Sequence, residues 1–386
     1  MNLRCSACSE RYPLDTEHWR CTCGGVFITE GAPTFHPAGI DENERSIWRY
    51  RAALSFSLRP GQEPVSLGEG WTPLVPAQLD GHEVYLKLES LNPTGSFKDR
   101  GASVLVTLFK SQGASRLVED SSGNAGAALA AYAARAGMAA TLYVPAQASR
   151  AKQAQARAYG ATLVPVEGPR ENASAAAQAA VEESQGQAGI RYASHVYHPV
   201  TLHGVKTLAY ELWEQLGGRA PARVVMPVGH GTLLLGCYLG FSDLLAAGLI
   251  EQMPRLYGVQ AAGCAPLAQA FTASYNGLTQ EQAANPLWGA LPVGECETLA
   301  EGIRIARPVR GAAILEAVAT AGGAIVAVDE ASIAQAHTEL ARRGFYVEPS
   351  SAVTVAALDA AAGTSPAEPG ETVLLLTGHG LKQPLI

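Results

Sequence analysis

A short apolar run, a glycine-rich turn and a helix-like stretch of ten or more residues follow one another repeatedly along most of this 386-residue chain. Residues 84–88 read Val-Tyr-Leu-Lys-Leu, and a helical pattern follows over 99–112. Residues 116–118 lead through Ser121-Ser122-Gly123-Asn124 into an alanine-rich helix over 125–136. Residues 140–145 and 161–166 repeat the theme, 223–227 precede a glycine turn and a leucine-rich helix, 255–260 come after it, and 372–376 form the last such run. Strands alternating with helices of this length imply βαβ units and a mainly parallel sheet. Such sheets take ligands at the C-terminal ends of their strands, on the turns into helices. Several of the glycine-rich turns stand at that position.

The length suits two lobes rather than one simple core. Hydrophobic residues make up 47% and charged residues only 16%, with 40 glycines, which favours close helix–sheet packing over disorder. The net charge of −7 argues against a nucleic-acid or anionic-membrane surface as the partner. No apolar run reaches the roughly 18 residues of a membrane span. The start, Met1-Asn2-Leu3-Arg4-Cys5, lacks the apolar core of a signal peptide. A cytoplasmic protein is expected, where disulfides are rare.

The seven cysteines therefore need another account. Cys5, Cys8, Cys21 and Cys23 form C-x2-C and C-x-C pairs twelve residues apart, a spacing suited to four thiolates around a structural zinc. Zinc would staple a segment, residues 1–30, that holds too little apolar material to fold alone. Cys237, Cys264 and Cys296 are scattered and read as buried small hydrophobes. Residues 31–66 look like a linker with one helical stretch over 41–54.

Four turns could carry chemistry. Asn92-Pro93-Thr94-Gly95-Ser96-Phe97-Lys98-Asp99-Arg100-Gly101 sets a lysine between a strand and a helix, where burial could lower its pKa and free it to attack an aldehyde. Ser121-Ser122-Gly123-Asn124-Ala125-Gly126 offers backbone N–H groups at a helix start, either an ordinary cap or a cradle for a carboxylate. Pro227-Val228-Gly229-His230-Gly231-Thr232 opens a helix with small residues suited to a phosphate. It lacks the Lys of a Walker loop, and Leu234 replaces the third glycine of a dinucleotide fingerprint. Thr377-Gly378-His379-Gly380-Leu381-Lys382 places a hydroxyl after the last strand.

Together and in this order, these segments resemble the fold-type-II pyridoxal-phosphate enzymes, the tryptophan synthase β family, and within it the threonine synthase branch. The resemblance runs from about Trp71 to Lys382. It implies a two-lobe α/β fold with parallel sheets: residues 31–99 and 201–386 as a large cofactor-binding lobe, 100–200 as a small mobile lobe, and 1–30 as a zinc-ribbon-like appendage. Lys98 matches the lysine that bonds the cofactor's aldehyde. Asn124 matches the residue at its 3′ oxygen, Gly229, His230, Gly231 and Thr232 its phosphate loop, and Thr377 the residue at its ring nitrogen. Ser121, Ser122 and Gly123 match the loop that takes the substrate carboxylate, with Ala125 just after it. A neutral hydroxyl at Thr377 favours elimination and replacement over transamination. The implied activity is phosphate elimination from O-phospho-L-homoserine and water addition to give L-threonine, with Lys98 as general base. A cytoplasmic homodimer acting on a small amino acid, without nucleic acid or membrane, is the implied setting.

The chain departs from that branch where substrate phosphate is held. His198-Pro199-Val200-Thr201-Leu202-His203-Gly204 stands where relatives carry N-P-x-R-x-E-G, so Thr201 replaces the arginine. Losing charge-assisted bonds of about 1.5–3 kcal/mol each weakens phosphate binding. His198, His203 or His230 could compensate, or could simply pack and cap. Dehydration of threonine or serine, and β-replacement on phosphoserine or an O-acyl-serine, are the alternative reactions. Glu301, in Leu299-Ala300-Glu301-Gly302-Ile303, could approach the cofactor ring or lie on the surface, and Ser350 and Ser351 would cap a helix beside the pocket.

Overall fold

A computed structural model describes residues 2–54, 56–58, 60–148, 150–184, 189–275, 296–363 and 370–382. These residues fall into two compact units, Met1–Trp71 with Asn92–Thr207, and Thr72–Leu91 with Leu208–Ile386.

The first unit is built on a parallel sheet in the order β8-β7-β6-β9, made of β6 (Arg116–Glu119), β7 (Ala139–Pro145), β8 (Thr162–Val166) and β9 (Ile190–Tyr192). Helices α1 (Lys98–Ser111), α2 (Asn124–Ala136), α3 (Arg150–Ala158), α4 (Arg170–Glu183) and the start of α5 (Val200–Gln215) accompany it. The alanines of α2 work as packing residues: Ala130, Ala131 and Ala133 join Leu105, Phe109, Leu117 and Leu142 in one buried cluster. Small side chains let elements approach closely. A Cβ at Gly126 would lie 2.0 Å from the Ser121 carbonyl oxygen, and one at Gly204 of α5 would lie 2.0 Å from that of Arg100.

The cysteine-rich segment forms an antiparallel sheet, β2-β1-β3, of β1 (Asn2–Cys5), β2 (Arg11–Pro13) and β3 (Phe27–Glu30). Trp19 anchors it, packing with Val118, Ala177, Val181 and Tyr192. Residues 31–71, grouped by sequence with the large lobe, pack in this first unit. Trp48 explains why: its indole N–H donates to Ser103 Oγ of α1 at 2.9 Å, and it clusters with Val104, Leu108 and Val200. The helical stretch expected over 41–54 is a 3-10 segment, Ile47–Ala53, capped by Ser46.

The second unit holds a six-stranded sheet in the order β12-β11-β10-β13-β5-β4. It comprises β4 (Leu74–Leu79), β5 (His82–Lys87), β10 (Arg223–Pro227), β11 (Arg255–Ala261), β12 (Ala324–Val328) and β13 (Thr372–Leu375). All pairs are parallel except the β4–β5 hairpin, whose Asp80-Gly81 turn has φ of 48° and 82°, as a two-residue hairpin turn requires. Its helices are α6 (Thr232–Ala246), α7 (Pro266–Tyr275), α8 (Gly311–Thr320), α9 (Glu330–Arg342), α10 (Pro349–Ala356) and α11 (Leu358–Gly363). Lys87 lies in a strand with no exposed surface because Glu211 Oε2, the Thr72 carbonyl and Gln215 Oε1 accept from its ammonium at 2.8, 2.7 and 2.9 Å. Cys264 and Cys296 are not inert hydrophobes: they are joined as a disulfide with Cα atoms 4.7 Å apart. Among the described residues no helix is long and apolar enough to cross a membrane.

Candidate active site

In the first unit the lysine-bearing turn is stapled from both sides. Asn92 Oδ1 accepts from the Gly70 N–H at 2.9 Å, and the Gly95 N–H donates to the Asn92 carbonyl at 2.7 Å with Gly95 at φ +82°. Asp99, fully buried in the first turn of α1, accepts from the Thr94 N–H at 2.6 Å and from the Thr94 hydroxyl. These bonds fix Lys98 at the head of α1, with its ammonium 4.8 Å from the Phe97 ring centroid. Burial of the amine pulls its pKa from 10.5 down to about 7. Glu119 opposes that shift and Arg170 adds to it. A lysine so placed is substantially unprotonated at neutral pH, the form that attacks carbonyls and takes protons.

Residues 121–123 curl over the head of α2, with the Gly123 N–H donating to Ser121 Oγ at 3.3 Å. Ser121, Ser122, Gly123 and Asn124 are half-buried, and Ala125 is buried. The N-terminus of this thirteen-residue helix is a ready site for an anion.

The same sheet edge carries acids that the motif reading passed over. Asp120 accepts from the Tyr192 hydroxyl at 2.9 Å and from the Ser174 hydroxyl, with Arg170 3.9 Å away. Glu119 is buried, with Oε1 2.8 Å from His195 Nδ1. Burial, then Asp120, hold its carboxyl well above the usual carboxylate range, while Lys98 and Arg170 act the other way. The one available signal was two adjacent acids ending a strand of a parallel sheet, where burial is the rule.

The segment that departs from the family is committed to packing. Thr201 is buried, and its hydroxyl donates to the carbonyls of His198 (2.7 Å) and His195 (3.0 Å). His198 Nδ1 accepts from the Val200 N–H at 3.4 Å, and its ring stands edge-on to Phe109. His203 pairs with Thr29 of β3 at 2.8 Å, and burial keeps its pKa well below the ordinary histidine value. A neutral, enclosed His203 cannot supply the missing positive charge.

In the second unit, β10 runs through Val228 into the loop of Gly229, His230, Gly231 and Thr232, which opens the fifteen-residue α6. Its two glycine positions are packed closely against neighbouring isoleucines. A Cβ at Gly229 would meet the Ile303 Cα at 3.1 Å, and Gly231, at φ +75°, would place one 2.2 Å from Ile314 Cδ1. The glycines leave room for those neighbours, and the first N–H groups of a helix have no partner within it. Neighbouring contacts tie this loop to the end of β13. Gly302 donates through its N–H to Ser350 Oγ at 3.0 Å, and Ser351 Oγ lies 3.1 Å from the Thr377 hydroxyl and accepts from the Gly378 N–H at 2.9 Å. Thr377 is buried and Glu301 is exposed.

These donors fit pyridoxal phosphate. Lys98 suits an aldehyde, a glycine cradle that no Cβ can fill suits a phosphate, and a buried neutral hydroxyl suits a ring nitrogen. The four N-terminal thiols also fit a metal. All Sγ atoms lie within 4.8 Å of one another, with Cys5–Cys23 and Cys8–Cys21 at 3.5 Å. Zinc bonded to sulfur at about 2.3 Å needs tetrahedral edges of about 3.8 Å.

Comparison with known proteins agrees. The profile of the family described as "Pyridoxal-phosphate dependent enzyme" matches residues 65–378. A threonine synthase of Methanocaldococcus jannaschii is 33% identical over 100% of this chain and 93% of its own. One from Synechocystis is 34% identical over 94% of this chain and 92% of its own. Among solved structures, an L-serine ammonia-lyase from Rhizomucor miehei superposes with a TM-score of 0.65 at 23% identity, covering 80% of this chain and 93% of that one, a likeness of fold.

Proposed function

The chain belongs to the pyridoxal-phosphate-dependent enzyme family, as a lyase of threonine synthase type, and from that premise we propose that it eliminates phosphate from O-phospho-L-homoserine and adds water to give L-threonine. The observation that carries this reading is similarity to threonine synthases along the whole chain, together with a buried lysine whose pKa falls to about 7.

In this reading Lys98 bonds the cofactor's aldehyde, Asn124 bonds its 3′ oxygen, the N–H groups of Gly229, His230, Gly231 and Thr232 hold its phosphate, and Thr377 faces its ring nitrogen. The bound cofactor supplies the electron sink that makes the Cα proton of an amino acid removable. The chain's own groups do the rest. Ser121, Ser122 and Gly123, at the head of α2, hold the substrate carboxylate and so fix which bond faces the lysine. Lys98 Nζ takes the Cα proton. A Cβ proton is removed and the Cγ–O bond breaks with its electrons going to phosphate; a proton is added at Cγ, water gives its hydroxyl to Cβ, and a proton returns to Cα. The sum is phosphohomoserine plus water giving threonine plus phosphate. With Thr201 engaged by carbonyls, the reading assigns the substrate phosphate to Arg170 of α4, which acts electrostatically on Lys98 and is paired at 3.9 Å with Asp120.

A second reading, the same cofactor chemistry on threonine, serine or an O-substituted serine, is favoured by one observation: threonine at position 201 with its hydroxyl turned to backbone carbonyls. The full-length, cofactor-loaded protein separates the two. With phosphohomoserine, phosphate and threonine should appear in equal amounts. Absence of threonine, with ammonia released from threonine or serine, would sink the first reading in favour of the second.

The proposal extends to a structural zinc on Cys5, Cys8, Cys21 and Cys23, supported by the thiol geometry. Metal analysis should find one zinc per chain. Chelation should lower Tm, because Trp19 leads the same segment onto β9. A cytoplasmic homodimer is proposed on the family resemblance.

A further inference from the structure

Cys264 and Cys296 close a disulfide across 32 positions, and both of the segments it joins lead to the loop that opens α6. Cys264 ends a short turn, Ala262–Cys264, between β11 and α7. Gln260, the fully buried penultimate residue of β11, braces that turn against the loop. Its Oε1 accepts from the Leu267 and Ala268 N–H groups at the head of α7, at 2.8 and 3.0 Å. Its Nε2 donates to the Val228 carbonyl at 3.3 Å, one residue before Gly229.

Cys296 begins the run that reaches the same loop. A Cβ at Gly263 would lie 2.1 Å from the Glu297 carbonyl oxygen, so the two segments touch along their backbones. Further on, the Leu299 N–H donates to Glu330 Oε2 at 2.9 Å and the Gly302 N–H to Ser350 Oγ at 3.0 Å. Ile303 and Ile305 then pack on Gly229.

We propose that the Cys264–Cys296 disulfide is a redox-controlled clasp on the 229–232 loop: closed, it retains the cofactor, and opened by a dithiol, it lets the cofactor go. This rests on the reading of that loop as the phosphate site. In the cytoplasmic setting proposed above, disulfides are mainly transient catalytic or redox-sensing bonds. The two sulfurs differ in access. Cys264 is 3% exposed and Cys296 is half-buried, so an incoming thiolate meets Cys296. The exchange balances. A thiolate of the dithiol bonds Cys296 Sγ, and the S–S electron pair leaves on Cys264 Sγ, which takes a proton. The dithiol's second thiolate then displaces Cys296 Sγ, which also takes a proton. The dithiol ends as a disulfide, and two electrons and two protons have passed to the pair. A disulfide acts by removing chain freedom. Opening it leaves the Glu330 and Ser350 bonds in place, so the run that walls Gly229 loosens without unfolding.

The test uses the full-length, cofactor-loaded protein, with dithiothreitol as the dithiol and peptide mass to read the state of the pair. Reduction should speed the loss of visible absorbance on dialysis about tenfold. Oxidised glutathione should restore the slow rate. Cys264→Ser/Cys296→Ser should lose cofactor at the fast rate with or without dithiothreitol, which separates this pair from the N-terminal thiols. Protein loaded with pyridoxal, which lacks the phosphate, should show no change on reduction. In cofactor-free protein, amide hydrogen exchange over residues 228–236 should quicken on reduction while that of β6 and β7 holds. A reduced pair with unchanged cofactor loss and unchanged exchange overturns the clasp. So does a response that persists in the double serine variant, or an equal response with pyridoxal. A wild-type chain that acquires no absorbance overturns the reading of the phosphate loop, and the exchange measurement still decides the clasp.

Discussion

The two parallel sheets of this chain end in edges made of opposite materials. The first unit's edge gathers Lys98, Glu119, Asp120, Arg170 and His195, groups that gain or lose protons or carry fixed charge. The second unit's edge presents glycine backbone at positions 229 and 231 and the neutral hydroxyl network of Ser350, Ser351 and Thr377. A group that must change its protonation needs burial and charged neighbours to tune it. A group that only holds a ligand is better neutral, rigid and pre-aimed. In the proposed reading, the groups that change protonation belong to the first edge and the neutral phosphate cradle to the second.

The largest test of that division is Lys98→Ala. Turnover should fall by roughly 10^3-fold or more and the visible absorbance should vanish. Residual turnover near wild type would move the chemistry elsewhere. Gly231→Ala attacks the second edge. A left-handed backbone costs a side chain about 1–2 kcal/mol, and the new Cβ would drive into Ile314. Cofactor retention measured by dialysis should weaken about tenfold or more, with the pH dependence of kcat unmoved. Arg170→Ala sharpens the first edge: KM for phosphohomoserine should rise about 10- to 100-fold, with a smaller change in kcat as Lys98 loses a charge that lowers its pKa, and an unchanged KM would return substrate phosphate to some other group.

Smaller effects follow from protonation and capping. In cofactor-free protein the Lys98 pKa is lowered from 10.5 to about 7. Between those pH values the unfolded chain holds a proton that the folded chain has released, so stability rises with pH across the window. Urea midpoints from pH 7 to 10 should rise more in wild type than in Lys98→Met. The smallest effect is expected for Thr201→Val. Losing a hydroxyl that serves two backbone carbonyls should lower stability by about 1 kcal/mol and leave KM unchanged. A raised KM would make Thr201 a substrate contact after all.

What could be read from the sequence was local. A strand, a turn and a helix announce themselves within thirty residues, so the βα order, Lys98, the loop at 121–124, the loop at 229–232 and the turn at Thr377 were all legible. What escaped depends on pairing between distant segments. Glu119 meets His195 only because β6 and β9 lie side by side, and no spacing rule links positions so far apart. The Cys264–Cys296 disulfide is another such meeting. Residues 31–71 lack strand periodicity, and their place was set by Trp48 reaching Ser103 rather than by any pattern of their own. At Thr201 the sequence showed that an arginine was missing, but the carbonyls that occupy its hydroxyl belong to the fold.

The most direct measurement of the central claim is reduction of the loaded protein with borohydride, followed by peptide mapping of the trapped cofactor. The account predicts a single adduct on Lys98, with the buried lysines at 87 and 206 unmodified. An adduct on either of those, or on none, would contradict it.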